Sequence, residues 1–213
     1  MIAVLTGDIV GSQELRESDR QQLQAYLQEA AASADLSTHI EVFAGDSWQC
    51  FCQPSHSAIR LALTLRSHLL GKREIDSRVS IGIGDYESLR PEKISLSQGE
   101  AFVLSGRGLQ EMPDEQRLAI QFSPRVPRPI QELAYANVLL LDGLTSQWTS
   151  KQAQAVALAG TDLNQYELAE KFDPPISAQA FGKHLAKAQW KLIKQVLQSI
   201  ELALQATLAP AEA

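Results

Sequence analysis

The sequence predicts an α+β domain followed by an all-α domain, and three observations support this. Over the first 122 residues, short apolar or alternating segments typical of strands are interspersed with longer segments of helical periodicity. Three prolines fall within residues 123–129, which is the clearest break in the pattern. Beyond them, every segment has the apolar spacing of a helix. We therefore predict domains at 1–128 and 129–213.

The elements of the first domain are predicted in chain order. The apolar run at 2–5 ends at a Gly-Asp turn and indicates a strand, whereas 16–33 has helical spacing and no Gly or Pro. The Gly-Asp-Ser tripeptide at 45–47 predicts a hairpin turn. The predicted strands cover 2–5, 39–44, 48–53, 78–84 and 118–122, and the predicted helices cover 16–33, 55–70 and 99–112. The first six elements follow the order β-α-β-β-α-β of the split βαβ, or ferredoxin-like, arrangement.

The second domain is predicted to contain four helices. They cover 130–144, 149–158, 164–172 and 177 to about 208. Thr149 or Ser150, Asn164 and Ser177 are the expected N-caps, since their side-chain oxygens accept hydrogen bonds from the first turn. Two prolines at 174 and 175 end the third helix.

Composition excludes several classes of protein. With 45% apolar and 21% charged residues among 213, the chain is not disordered, and it has no run of about 20 apolar residues that would span a membrane. The N-terminus lacks the basic segment of a signal peptide. Cys50 and Cys52 are too few for a disulfide framework, which favours a reduced cytoplasmic protein. A net charge of −6 argues against generic nucleic-acid binding by the whole molecule.

Two carboxylates occupy matched positions. Asp8 follows the first strand and Asp46 lies in the predicted hairpin, 38 residues later. A ferredoxin-like order places both at the same end of the sheet, where paired carboxylates suit Mg²⁺. The segment 9–13 is expected to supply backbone N–H groups at the start of a helix, as phosphate sites often do. The alternative is that both are ordinary Gly-Asp turn residues.

These residues resemble the motifs of class III nucleotidyl cyclases. The matching segments are 8–11 (Asp-Ile-Val-Gly), 43–46 (Phe-Ala-Gly-Asp), 79–84 and Gly99 through Arg107. In that family, the two aspartates hold two metal ions, and an arginine at the spacing of Arg107 stabilises the transition state across a dimer interface.

The chain resembles the bacterial SatD family more closely, from end to end. The motifs are Gly7-Asp8-Ile9-Val10-x-Ser12, Gly45-Asp46-x-x-Gln49, Arg78-x-x-Ile81-Gly82-Ile83-Gly84, Gly99-x-Ala101-Phe102 and Arg107, followed by a helix-turn-helix tail. The resemblance implies a cyclase-like N-terminal domain. It assigns Asp8, Ile9 and Asp46 to metal binding, with Mg²⁺ or Mn²⁺ as candidates, and Val10, Gly11, Ser12 and Arg107 to phosphate or nucleotide binding.

Two departures from the cyclase pattern indicate that the site does not cyclise nucleotides. Val42 stands where cyclases have a base-reading lysine, and Val103 where they have a ribose-positioning asparagine. A valine forms no hydrogen bond with a base or a ribose, so the polar contacts that favour the transition state are lost. Arg107 is a catalytic candidate only if the site is active, and a surface helix arginine otherwise.

The segments 164–172 and 176–185 resemble a helix-turn-helix unit. Its second helix is the one that such units place in the DNA major groove. From Ile176 to Ile200 there are four lysines and no acidic residue, although the whole chain is acidic. The candidate DNA contacts are Ser177, Gln179, Lys183, His184, Lys187 and Lys191, continued by Lys194. With no arginine for bidentate guanine reading, one copy would bind weakly, and we expect a homodimer.

The favoured hypothesis is a DNA-binding transcriptional regulator whose degenerate cyclase-like domain binds a metal–phosphate or nucleotide ligand. The alternatives are a two-metal nucleotide-processing enzyme, and a non-catalytic scaffold with a helical protein-interaction tail. We expect Trp48 to be a packing residue. We also expect Arg66, Lys72, Arg73 and Arg78 to be solvated charges rather than a ligand clamp.

Overall fold

Five strands form one mixed sheet. The computed structural model describes residues 1–33, 38–161 and 163–208. The strands are β1 (Ile2–Ile9), β2 (Ile40–Phe43), β3 (Ser47–Cys52), β4 (Ser77–Gly84) and β5 (Leu118–Phe122). Their order is β2-β3-β1-β4-β5, antiparallel between all neighbours except β4 and β5, which are parallel.

Eight α-helices accompany the strands in the described part of the chain. Three belong to the first half: α1 (Glu17–Ser33), α2 (Ala58–Arg73) and α3 (Glu100–Gln110). The others are α4 (Arg128–Thr145), α5 (Ser150–Leu158), α6 (Gln165–Glu170), α7 (Ala178–Lys187) and α8 (Trp190–Leu208). The α+β class is therefore confirmed. Among the described helices, none combines the length and the apolar character that crossing a membrane requires.

The two faces of the sheet are covered differently. Alternate residues of a strand point to opposite faces. Ala3 and Leu5 of β1 join the main core with α1 and α2, whereas Ile2 and Val4 pack against Ala101 of α3. On the α3 face, Thr6 is hydrogen-bonded to Ser105 and to Gln49. One side of the sheet is thus a deep apolar core, and the other is partly polar beneath a single helix.

The core is continuous across the predicted domain boundary at residue 128. Apolar residues of α4, α5 and α8 belong to the same cluster as those of the sheet, α1 and α2. The helices α2 and α5 approach closely, since a Cβ on Gly71 would lie 2.4 Å from the backbone nitrogen of Gln154. The C-terminal helices α4, α5 and α8 are therefore anchored on the first half of the chain, whichever boundary is drawn along the sequence.

Two polar residues of α2 are buried at this junction. Arg66, expected to be solvated, is only 1% exposed. Its Nε and one terminal nitrogen donate to the Asp76 carboxylate at 2.7 and 3.1 Å, and the other terminal nitrogen donates to Thr145 of α4 at 2.8 Å. His68 lies 2.7 Å from the Ser33 hydroxyl, and burial lowers its pKa to about 4. The Arg66 expectation was wrong because its partners come from distant segments.

Several boundaries differ from the sequence prediction. β1 runs to Ile9, so Asp8 lies within the strand rather than in a turn, because both β3 and β4 pair with it there. The predicted single helix from residue 177 to about 208 is interrupted at Gln189, which has a positive φ of 54°. The caps are confirmed: Thr149 and Asn164 form capping boxes, and the Ser177 side chain accepts from Ala180 N–H.

Candidate functional site

The sheet register brings Asp8 and Asp46 to the same edge. Asp8 lies opposite Ser47 in β3, and the N–H of Ile9 donates to the Asp46 carbonyl at 3.2 Å. Asp8 belongs to the strand that is central to the sheet, while Asp46 lies in the hairpin between β2 and β3. The backbone positions of the two aspartates are thus adjacent.

The Asp8 carboxylate is bound by Arg78 of β4, which lies directly opposite it. The Nε of Arg78 donates to Asp8 Oδ1 at 2.9 Å, and a terminal nitrogen donates to Oδ2. These hydrogen bonds raise the pKa of Arg78. Arg78 was expected to be solvated and instead supplies the cation that balances Asp8. Sequence reasoning missed it because the pair is formed only by the β1–β4 register.

This arrangement bears on the predicted metal. Within residues 1–33, 38–161 and 163–208, no group of three or more His, Cys, Asp or Glu side chains is placed to hold a metal ion. A metal ligated by Asp8 would have to replace Arg78, whose bidentate hydrogen bonds already occupy that carboxylate. The side chains as they stand therefore do not fit a two-metal centre. Metal binding at Asp8, Ile9 and Asp46 stays a prediction.

The predicted phosphate segment has a different local structure from the one expected. The helix start that was expected to include the N–H groups of 9–13 is a single 3₁₀ turn at Ser12–Glu14, preceded by Gly11 at φ 65°, while α1 begins at Glu17, one residue after its predicted start. The N–H of Val10 donates to the Asp76 carbonyl at 2.9 Å. That amide is already engaged by a backbone partner in this structure. Phosphate binding by Val10, Gly11 and Ser12 stays a prediction.

The three positions compared with cyclases do not face one pocket. Arg107 is exposed on α3, and Val103, one turn earlier, is 57% exposed. Val42 instead packs against the main core, on the face of the sheet covered by α1 and α2. A polar side chain at position 42 would therefore be directed away from α3.

The predicted helix-turn-helix segment contains a small apolar cluster of its own. Ala155 of α5 packs with residues of α6, α7 and the turn between them: Leu168, Ala169, Phe172 and Phe181. The rings of Phe172 and Phe181 meet edge to face, with centroids 6.1 Å apart. The Gln165 side chain donates to the Ala178 carbonyl at 2.6 Å and so joins α6 to the start of α7. These contacts fix α7 against α5 and α6.

Most of the predicted DNA-contacting residues are exposed. Gln179, Lys183 and Lys187 are exposed on α7, and Lys191 is exposed on α8. Ser177 is also exposed, and its hydroxyl oxygen accepts the Ala180 N–H as the cap of α7. The exception is His184, expected to be exposed. It is half-buried, and its ring stacks on the Phe172 ring with the two centroids 5.5 Å apart, so it is a packing residue of α7.

Comparisons with known proteins do not identify this site. No protein-family model matches the chain, and no curated protein is significantly similar to it.

Proposed function

We propose that the protein is a DNA-binding transcriptional regulator in which α6 and α7 form a helix-turn-helix with α7 as the recognition helix. The observation that carries this is the exposure of α7. Phe181 is its one buried residue, while Gln179, Lys183 and Lys187 are exposed. A helix held by one buried face, with a glutamine and two lysines exposed on the rest of its surface, suits entry into a major groove.

The charge of this surface supports the same function. Lys183 and Lys187 on α7 and Lys191 and Lys194 on α8 are all exposed. No acidic residue lies between Ile176 and Ile200, in a chain whose net charge is −6. A local basic surface on an acidic protein favours contact with phosphates at this surface.

For the N-terminal domain, we propose a ferredoxin-like, cyclase-like unit of the SatD family that binds a phosphorylated ligand without cyclising it. The strand order β2-β3-β1-β4 supports the first part, since it is the order expected of that arrangement. Two observations disfavour cyclisation: Arg78 is hydrogen-bonded to the Asp8 carboxylate, and valines stand at positions 42 and 103, where cyclases have polar side chains. We expect neither cyclic AMP nor cyclic GMP from ATP or GTP, as measured by product chromatography. Robust cyclic product that is lost in Asp8→Asn would favour the enzyme alternative.

Assembly and location complete the proposal. A single recognition helix without arginine gains from a second half-site, so we propose a homodimer. Light scattering at micromolar concentration tests this, and a monomer would contradict it. We place the protein in a reducing, cytoplasmic compartment, because Cys50 and Cys52 are buried thiols, and burial raises the pKa of Cys52 to about 12.

Selection of bound duplexes from a random DNA library tests the regulatory function. We expect enrichment of a two-fold symmetric sequence, with half-sites about one helical turn apart. The variant Lys183→Ala/Lys187→Ala is expected to enrich none. If the native protein retains no duplex above background, DNA binding is excluded, and the scaffold alternative is favoured.

A further inference from the structure

A basic cleft of about 460 Å³ lies between the two halves of the chain, away from Asp8 and Asp46. We call it the α2–α5 cleft. Its basic lining residues come from the loop before α1, the end of α2, the start of α5 and the end of α6: Arg16, Lys72, Arg73, Lys151 and Lys171. Two acidic residues, Glu74 and Asp173, also line it. Five basic and two acidic side chains thus line the cleft, and with the carboxylates of Asp19 and Glu29, which pair with two of the basic groups, the local net charge is +1 in a chain of net charge −6.

Three of these cations are not neutralised by a carboxylate in the part of the chain that the structure describes. Arg16 pairs with Asp19, and Lys72 pairs with Glu29. Arg73 instead lies over the Tyr26 ring, with its guanidinium carbon 3.9 Å from the centroid. The Lys151 ammonium donates to the Asp173 backbone carbonyl at 2.6 Å, and Lys171 has no carboxylate within 4.0 Å among the described residues.

The first turn of α5 adds to the positive potential. Ser150 and Lys151, its first two residues, line the cleft. The N-terminus of a helix carries a partial positive charge that favours anions. The cleft is therefore lined by two ammonium groups, by one guanidinium that also lies over the Tyr26 ring, and by a helix N-terminus.

We propose that the α2–α5 cleft binds a small molecule that carries two or more linked phosphate groups. The three cations that no carboxylate neutralises complement linked phosphate groups, and the volume lies within the range of about 300–1,000 Å³ typical of small-molecule sites. A concave space walled by separate elements suits a compact anion better than the extended backbone of a duplex, which the exposed lysines of α7 fit.

The position of the cleft suits regulation of the helix-turn-helix by the bound anion, an inference that rests on the proposed function. Gln154 of α5, 6% exposed, pairs its side-chain amide with the Asp173 backbone, accepting from the N–H at 2.8 Å and donating to the carbonyl at 3.2 Å. Asp173 lies in the turn that leads to α7. A polyphosphate held by Arg73, Lys151 and Lys171 would therefore bridge the end of α2 to that turn.

Calorimetric titration of the full chain with sodium tripolyphosphate and with ATP, both in EDTA, tests the site. We expect saturable binding of both, and at least tenfold weaker binding by Lys151→Ala/Lys171→Ala, because each charge-assisted contact with phosphate is worth roughly tenfold or more. The matched control is Lys93→Ala/Arg128→Ala, which removes the same charge from exposed positions outside the cleft. Unchanged thermal melting of both variants verifies folding.

The proposal is overturned if neither anion binds, or if the cleft variant and the control bind alike. It is also overturned if Lys151→Ala/Lys171→Ala weakens the binding of a DNA duplex but not of either anion, since the cleft would then be a DNA contact. Fluorescence anisotropy with a duplex and Lys183→Ala/Lys187→Ala tests the proposed function separately. If the native protein binds DNA but neither anion, the cleft alone is refuted, and if it binds the anions but no DNA, the helix-turn-helix alone is refuted.

Discussion

Replacing Lys183 and Lys187 of α7 with alanine is expected to change the salt dependence of DNA binding by a definite amount. Both side chains are exposed and lie on the predicted recognition helix. Each phosphate contact contributes about 0.9 to the slope of log K against log salt, so the loss of two lowers the slope by about 1.8. Between about 50 and 200 mM salt, a slope difference of about 1.8 amounts to a factor of about 12 in affinity. The native protein should therefore lose about 12 times more affinity over that range than the variant.

The assay is fluorescence anisotropy with a labelled duplex at several salt concentrations. Lys93→Ala/Arg128→Ala serves as the control, because it lowers the net charge equally without touching α7 or α8. The control should keep the native slope. Identical slopes for the native protein and the α7 variant would refute the assignment of α7 to the groove. Equal slope losses in both variants would show that overall charge, rather than this helix, governs binding.

Three further predictions concern the junction that carries the C-terminal helices. Arg66→Met removes one of two cationic partners of Asp76, which keeps Arg117 at 3.2 Å, and the donor to the Thr145 hydroxyl, so it should cost about 1–3 kcal/mol in the free energy of unfolding by urea. His68 is neutral in the fold, because burial lowers its pKa to about 4, whereas the unfolded imidazole titrates near 6.5. The contribution of neutral His68 to the free energy of unfolding is fully present above about pH 6.5 and falls by about 3 kcal/mol as the pH drops to 4. In His68→Gln, the free energy of unfolding by urea should therefore vary less with pH over that range. Gly71→Ala forces a Cβ against the α5 backbone and should destabilise the fold by about 1–3 kcal/mol. Gly143→Ala is the control, because nothing lies within 4 Å of the added Cβ, and it should not destabilise the fold. If both variants lowered the melting temperature equally, the close packing of α2 on α5 would be contradicted.

Much of the local structure follows from the sequence because its determinants are local. Apolar periodicity located the five strands and most helices, and side-chain caps located the starts of α5, α6 and α7. A cap requires only an oxygen a few residues from an unpaired N–H, so it can be identified without knowledge of the tertiary fold. The break between α7 and α8 carries no such signal. Trp148 donates to the Ala188 carbonyl at 3.1 Å, and Gln189 adopts a positive φ there, although the helical periodicity continues through both positions.

The candidate site shows the same division. Motif spacing and the β-α-β-β-α-β order placed Asp8 and Asp46 at one edge, and the register agrees with that placement. The sequence did not reveal that Arg78 holds Asp8, or that position 42 faces the core. Both depend on which strand neighbours which and in what register, and a shift of one residue would reverse every side chain.

By itself, the sequence determined the α+β class, the succession of elements up to α7, the caps of α5, α6 and α7 and the run of lysines from 183 to 194. Only the tertiary structure decided which partner each buried or half-buried charged side chain binds. Arg78 and Asp8 are 70 residues apart, and Arg66 and Thr145 are 79 apart. The α2–α5 cleft draws its cations from four separate segments. Periodicity and capping report the conformation of a few neighbouring residues, whereas ion pairs and clefts form between segments brought together by burial of a shared core.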